Sequence, residues 1–350
     1  MNSICRQTNK KTRKAAFALT MLTLFILTAG AAVPLQAQTR SARAQAPLIN
    51  HNTWSSGAAI PTPVWFPAGT GVIKGQIYLV GGYTATAVVA NNQVYNPVTN
   101  TWSSGAPLPT TTAQGASAVV KNILYVFGGS TNGCSTVTNA VWAYNPKTNA
   151  WSSKAAMPTA RCSTAATVAN NIIYVIGGYS PSGGRLNTVE SYNPATDAWK
   201  EEAPLLVGKS EPAVGLVGTT IVAADGCTGP SCDNGDNQGY NATTNSWTSL
   251  KSDPTARNAA CAGAIGTQLY VAGGFSNGGP DLNLTESFKV SKNTWTTLAP
   301  IPQATLAPGS AVYKSKVGGV TDRVLYCFGG ASNGVLFQNT VYNNVQIYQP

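Results

Sequence analysis

The chain has 350 residues, a formal net charge of +10 and only 10% charged residues, with 35 Gly and 21 Pro. No long amphipathic helical pattern appears, which suits one all-β domain rich in turns. The positive charge does not mark a nucleic-acid binder. Five of the 22 basic residues (Arg6, Lys10, Lys11, Arg13, Lys14) and none of the 12 acids fall at the very start, which leaves a remainder near +5 with no basic stripe interleaved with aromatics.

In chain order, Lys10 to Lys14 precede an apolar run from Ala15 to Val33, then Pro34 and small or polar residues. This reads as a secretory signal peptide over residues 1–37, cleaved after Ala37. An uncleaved anchor is the alternative, since 19 apolar positions just span a bilayer. The small residues that follow favour cleavage, and no membrane span is expected after it. No Cys follows the run at a lipoprotein position. Residues 38–50 read as a flexible lead-in, residues 51–350 as one domain, and the expected location is secreted or periplasmic.

Six tryptophans then recur: Trp54, Trp102, Trp151, Trp199, Trp247 and Trp295, at spacings of 48, 49, 48, 48 and 48 residues. Seven positions before most of them stands an aromatic residue: Tyr95, Tyr144, Tyr192, Tyr240 and Phe288. Between the two lies a turn tetrad such as Asn96-Pro97-Val98-Thr99, closed by Asn or Asp, so each unit reads strand, tight turn, strand. About 21 residues before each tryptophan, an apolar run ends in two glycines. The fourth unit degrades the pair to Ala224-Asp225-Gly226, and a sixth run, Val324 to Gly330, has no tryptophan after it. Upstream of each pair is a stretch of small residues, suited to an innermost strand crowded against a central axis. Four short strands per repeat of about 48 residues is a β-propeller pattern.

The glycine pairs (Gly81-Gly82, Gly128-Gly129, Gly177-Gly178, Gly273-Gly274, Gly329-Gly330), the spaced tyrosines and the tryptophans give residues 50–350 a strong resemblance to the kelch repeat family. The ends are complementary: Val345 to Pro350 is an aromatic strand with no tryptophan strand after it, and Asn52-Thr53-Trp54-Ser55 is a tryptophan strand with none before it. The expectation is therefore a six-bladed kelch-type β-propeller, its ring closed by the N-terminal strand pairing with the C-terminal blade.

Six cysteines remain beyond the leader: Cys134, Cys162, Cys227, Cys232, Cys261 and Cys327, an even count that suits disulfides in an exported protein. Up-and-down topology brings Cys134, in the loop between the second and third strands of one unit, near Cys162 in the connection entering the next, and this pair is expected to bond. The others stay open: Cys232 and Cys261 occupy nearly equivalent places two blades on, Cys227 and Cys232 could close a small local ring, and Cys261 and Cys327 otherwise read as buried free thiols.

The only histidine is His51, so neither a Ser-His-Asp nor a Cys-His triad is credible, and the cysteine spacings do not suit zinc. The resemblance includes galactose oxidase, whose copper needs two histidines, and no such site carries over. No cofactor is expected. Ten residues after each tryptophan stand Val64, Thr112, Arg161, Lys209, Arg257 and Thr305, so three consecutive units place a cation in the connection at the mouth of the channel. Arg161, Lys209 and Arg257 are thus candidate ligands of an acidic group, with bonding to neighbouring carbonyls as the structural alternative.

By resemblance, kelch propellers of cullin-ligase adaptors grip acidic peptides on this face, and the six-bladed sialate mutarotase acts on a carboxylated sugar with Arg and Glu at its channel mouth. The leading reading is a monomeric binding module for a protein, peptide or acidic sugar; the alternative is a sugar mutarotase using Glu211 with Arg161 and Arg257; the third is a surface or adhesion module. Glu211 is set against the plain reading of a solvated loop carboxylate. Tyr83, Tyr179 and Phe275, just after glycine pairs, are candidate sugar-stacking residues or packing aromatics. Glu190 and Glu286, nine residues before their tryptophans, read as structural. Asp233 and Asp236 are a weak calcium candidate, without the spacing of an EF-hand.

Overall fold

The computed structural model describes residues 51–350 except 230–231, 233, 277–278, 318–319 and 333–339. The leader, its cleavage point after Ala37, the lead-in and the calcium candidate Asp233 lie outside the described residues. Six four-stranded antiparallel sheets make the blades. Blade 1 holds Gly69–Ile73, Gln76–Tyr83, Val88–Asn96 and Thr101–Gly105, and blade 2 holds Ala116–Val120, Ile123–Phe127, Val141–Asn145 and Ala150–Lys154. Blade 3 holds Ala165–Ala169, Ile172–Ile176, Val189–Asn193 and Ala198–Glu201, and blade 4 holds Ala213–Val217, Thr220–Ala224, Asn237–Asn241 and Ser246–Leu250. Blade 5 holds Cys261–Ile265, Gln268–Ala272, Thr285–Lys289 and Thr294–Leu298. Blade 6 takes Gly309–Val317, Val320–Phe328 and Val345–Gln349 from the C-terminus and Thr53–Ser56 from the N-terminus. The register of that last pairing sets Trp54 opposite Tyr348, as the spacing requires. No helix among the described residues is long and apolar enough to cross a membrane.

The core lies between blades. Six clusters of buried residues each join two neighbours; one packs Phe127 and Val141 of blade 2 against Ile173, Val175 and Tyr192 of blade 3. Sheets whose two faces are both buried against neighbours explain why the second strands read as unbroken apolar runs.

The tryptophan, the aromatic and the turn Asn or Asp form one device repeated six times. Each indole lies 5.0–5.1 Å from its cross-strand aromatic ring, tilted by 38–45°. Each indole N–H donates to a carbonyl of the preceding blade at 2.8–2.9 Å, ending with Trp54 to Ala299 across the closure. The turn residues Asn52, Asn100, Asn149, Asp197, Asn245 and Asn293 all have left-handed φ, which Asn and Asp tolerate best among residues with a side chain. Their side-chain oxygens accept a backbone N–H from the preceding blade at 2.6–2.9 Å, and in five of the six also a tyrosine hydroxyl. Phe288 leaves Asn293 without that last bond.

Three disulfides cross-link the ring. Cys134–Cys162 ties blade 2 to the connection into blade 3, and Cys227–Cys232 closes the local ring in blade 4. Cys261–Cys327 corrects the reading of two free thiols and removes the Cys232–Cys261 alternative. The two residues sit 66 positions apart on adjoining strands of blades 5 and 6, a juxtaposition only the assembled ring creates.

Candidate functional site

The glycine pairs place the channel mouth. In each blade the N–H after the first residue of the pair donates to the carbonyl of the residue ten positions past that blade's tryptophan, as in Gly129 to Arg161 and Gly330 to Val64. The backbone crosses so closely there that a Cβ on Gly128 would overlap the Arg161 carbonyl oxygen. Asp225 stands where the fourth blade has lost its first glycine, in the left-handed region at φ 59°.

This crossing decides the fate of the three candidate cations. Arg161, Lys209 and Arg257 are all 0% exposed. The Arg161 guanidinium donates to the carbonyls of Gly177 and Thr188 and pairs with Glu190 at 2.7 Å. Arg257 donates to Gly273 and Leu284 and pairs with Glu286 and Asp253. Lys209 donates to the carbonyls of Ala223 and Asp236 and pairs with the Asp236 carboxylate at 2.8 Å. Burial pushes Arg161 down to about 10, an effect that Glu190 only partly offsets, and burial likewise lowers Lys209. The arc is therefore a set of braces inside the blades and presents no charge to a ligand. The assignment of Glu190 and Glu286 as structural fits this geometry. Asp236, committed to Lys209, is no free calcium ligand, and no group of three His, Cys, Asp or Glu able to hold a metal occurs among the described residues. Asp225 is buried (1% exposed), and its carboxyl is raised well above the ordinary range by burial and then by Asp253.

Two residues further along, the geometry turns outward. Phe66, Gln114, Ser163, Glu211, Ala259 and Ala307, each twelve positions past a tryptophan, all have φ between 43° and 58°. The N–H of each donates to the carbonyl of its counterpart one blade back. The lengths are 2.8, 3.0, 2.7, 2.7, 3.4 and 2.6 Å from Phe66 round to Ala307, a closed ring of six backbone bonds encircling the channel. Their side chains divide the mouth. On one side Tyr83 donates to Gln114, Gln114 to Ser163, and Ser163 to Glu211 at 3.0, 3.2 and 3.1 Å. On the other, Ala259, Leu306 and Ala307 pack with Trp65, Phe66 and Phe275.

Above the polar side lies a pocket of about 490 Å³ whose wall includes Ser163, Glu211, Arg185, Tyr179, Phe275 and Asn258. Glu211 is half-buried and lines this pocket, and desolvation raises its carboxyl above the ordinary 4.5, opposed by the Ser163 hydroxyl and the Arg185 charge. Arg185 comes from a short hairpin, Tyr179–Ser180 paired with Gly184–Arg185, which only blade 3 carries among the described residues. Tyr179 and Phe275 thus sit in the wall, whereas Tyr83 is held in the chain of bonds to Gln114. Sequence reasoning missed Arg185, Gln114 and Ser163. The last two were readable from the same ruler at twelve residues rather than ten; Arg185 stands in the loop between the second and third strands, where residues do not recur from blade to blade, and carried no such signal.

Residues 69–226 match the family described as the KLHDC2/KLHL20/DRC7 kelch-repeats domain, and residues 256–302 match the kelch motif. The chain belongs to the kelch-repeat family. Among solved structures, one titled "Structure of YjhT" matches this kelch propeller with a TM-score of 0.69 at 19% identity, covering 83% of this chain and 96% of that one. Likeness at that identity establishes a shared fold. No curated protein sequence matches.

Proposed function

We propose that this kelch propeller is an exported binding protein that takes a small polyhydroxylated ligand, an acidic sugar above all, in the channel-mouth pocket. The observation that carries the reading is the convergence of Glu211 and Arg185 on one pocket of about 490 Å³ in which they form no ion pair with each other. Hydroxyls suit the Gln114–Ser163–Glu211 side, a carboxylate suits Arg185, and the apolar face of a sugar ring suits Phe275. Three disulfides support an exported setting. Calorimetric titration with acidic sugars, neutral sugars and acidic peptides tests it. An acidic sugar should bind, and both Arg185→Ala and Glu211→Gln should weaken it; binding unchanged in both variants would sink the assignment.

A second reading, a sugar mutarotase, is favoured by one feature. Glu211 is a carboxyl that desolvation raises above its ordinary 4.5, at the end of a hydrogen-bonded chain, and so is suited to taking up and returning a proton. It predicts faster exchange between sugar anomers in NMR saturation transfer, abolished by Glu211→Gln; exchange at the uncatalysed rate leaves the binding reading alone.

A further inference from the structure

The mouth pocket holds one reactive group that ligand binding does not use. Both Cys227 and Cys232 line its wall. Cys227 stands in register with Tyr179 and Phe275, directly after the glycine-pair position, and exchanges two backbone hydrogen bonds of 2.9 and 3.0 Å with Ser210, the neighbour of Glu211. Cys232 is half-buried, and its Sγ lies 3.7 Å from Nη2 of Arg185. Arg185 makes no ion pair among the described residues, and its buried Nε has no hydrogen-bond partner.

Cys227 itself is only 5% exposed, close to the 6% of Cys134, so the pairs are set apart by loop length, by the access of the second sulfur and by the neighbouring charge. The other two disulfides close separations of 28 and 66 residues against 5, and a short loop gives a cross-link the least entropic gain. Cys261 and Cys327 are 0% and 1% exposed. Cys134 also reaches the pocket, but its partner Cys162 is fully enclosed, with its sulfur against the Tyr179 carbonyl rather than a cation.

We propose that Cys227–Cys232 is a thiol–disulfide exchange site through which a small dithiol remodels the mouth pocket. The reagent's thiolate attacks Cys227 Sγ and bonds to it as the Cys227–Cys232 bond breaks, and the electron pair remains on Cys232 as a thiolate beside Arg185. A nearby cation makes that thiolate a better leaving group. The reagent's second thiolate then attacks the reagent sulfur of the mixed disulfide, closing the reagent's own disulfide. Cys227 is released as a thiolate that takes up a proton. The protein gains the two electrons the dithiol loses. Reduction removes the covalent clamp on the wall that Ser210 shares with Glu211. The inference rests on the wall of the pocket and not on its ligand, so a protein that binds no sugar but reduces this pair selectively leaves it standing.

The test exposes the purified protein to dithiothreitol at neutral pH, blocks thiols with iodoacetamide at intervals, and follows each cysteine by peptide mass spectrometry. Cys227 and Cys232 should be alkylated roughly tenfold or more faster than the other four cysteines, with near-UV circular dichroism retained. Arg185→Met should slow this pair alone, and Arg185→Lys should restore much of the rate. Alkylation of all six cysteines together, or an Arg185→Met rate equal to the parent's, overturns the proposal. The comparison among the three pairs needs no variant, so it decides the exchange even if Arg185→Met fails to fold.

Discussion

The rim of this propeller repeats and its mouth does not. At the rim, six clasps of Trp, aromatic and Asn or Asp have nearly the same ring geometry and the same indole and backbone donors from blade to blade. At the mouth, the six residues twelve positions past the tryptophans share one backbone conformation yet carry Phe, Gln, Ser, Glu and two Ala side chains. Identity is kept where each blade must fit its neighbour, and variety appears where side chains meet around the channel mouth. Between the two, the position ten residues past each tryptophan looks variable but is bound by packing: a cation occurs only where an adjacent carboxylate can receive it. Arg161 and Arg257 have Glu190 and Glu286, and Lys209 has Asp236 beside Gln238. Val64 and Thr305 instead face blades with Gln93 and Gln346 at the corresponding place.

The sharpest way to break this contrast is to open a brace. Glu286→Ala leaves the fully buried Arg257 short of its main partner and should cost about 3–5 kcal/mol in chemical denaturation. At the rim, Trp199→Ala removes a half-buried indole, its ring contact with Tyr192 and its bond to Ala155, for about 2–4 kcal/mol by the same measurement. Asn149→Ala loses two hydrogen bonds and places Ala at φ 49°, for about 1–2 kcal/mol. At the mouth, Ser163→Ala should stay within about 1 kcal/mol of the parent in stability while weakening the response to an acidic sugar in calorimetry. If Ser163→Ala instead destabilises as much as the rim change, the mouth is structural too.

The smallest effect is one of pH. The Glu211 carboxyl titrates higher in the folded state than its ordinary 4.5, so the folded form holds its proton longer than the unfolded form. Its contribution is therefore most favourable below the ordinary range and is lost as pH rises from there through the folded value. Glu211→Gln should flatten that decline in a denaturation series from pH 4 to 8; an unchanged slope would show that Glu211 is well solvated.

How much of this was legible in the sequence depended on whether a residue's role repeats. The period of the tryptophans, the Asn-closed turns and the unmatched ends at Trp54 and Tyr348 determined the architecture, because each strand pairs within its own repeat or with the next. The same ruler located the channel mouth in the chain. What it could not say was which way a side chain points there. Arg161, Lys209 and Arg257 were read at the mouth, and the crossing of backbone over the glycine pairs turned them into the blades, where carbonyls and carboxylates could satisfy them. Glu211, two residues on, lines the mouth pocket, but its neighbours Ser163 and Arg185 come from other segments of the chain. Cys261 and Cys327 likewise meet only once blades 5 and 6 are packed. Repetition with local pairing fixed the ring. The direction of side chains and the meeting of distant segments were decided by tertiary packing, since both depend on where the backbone of one blade crosses the next.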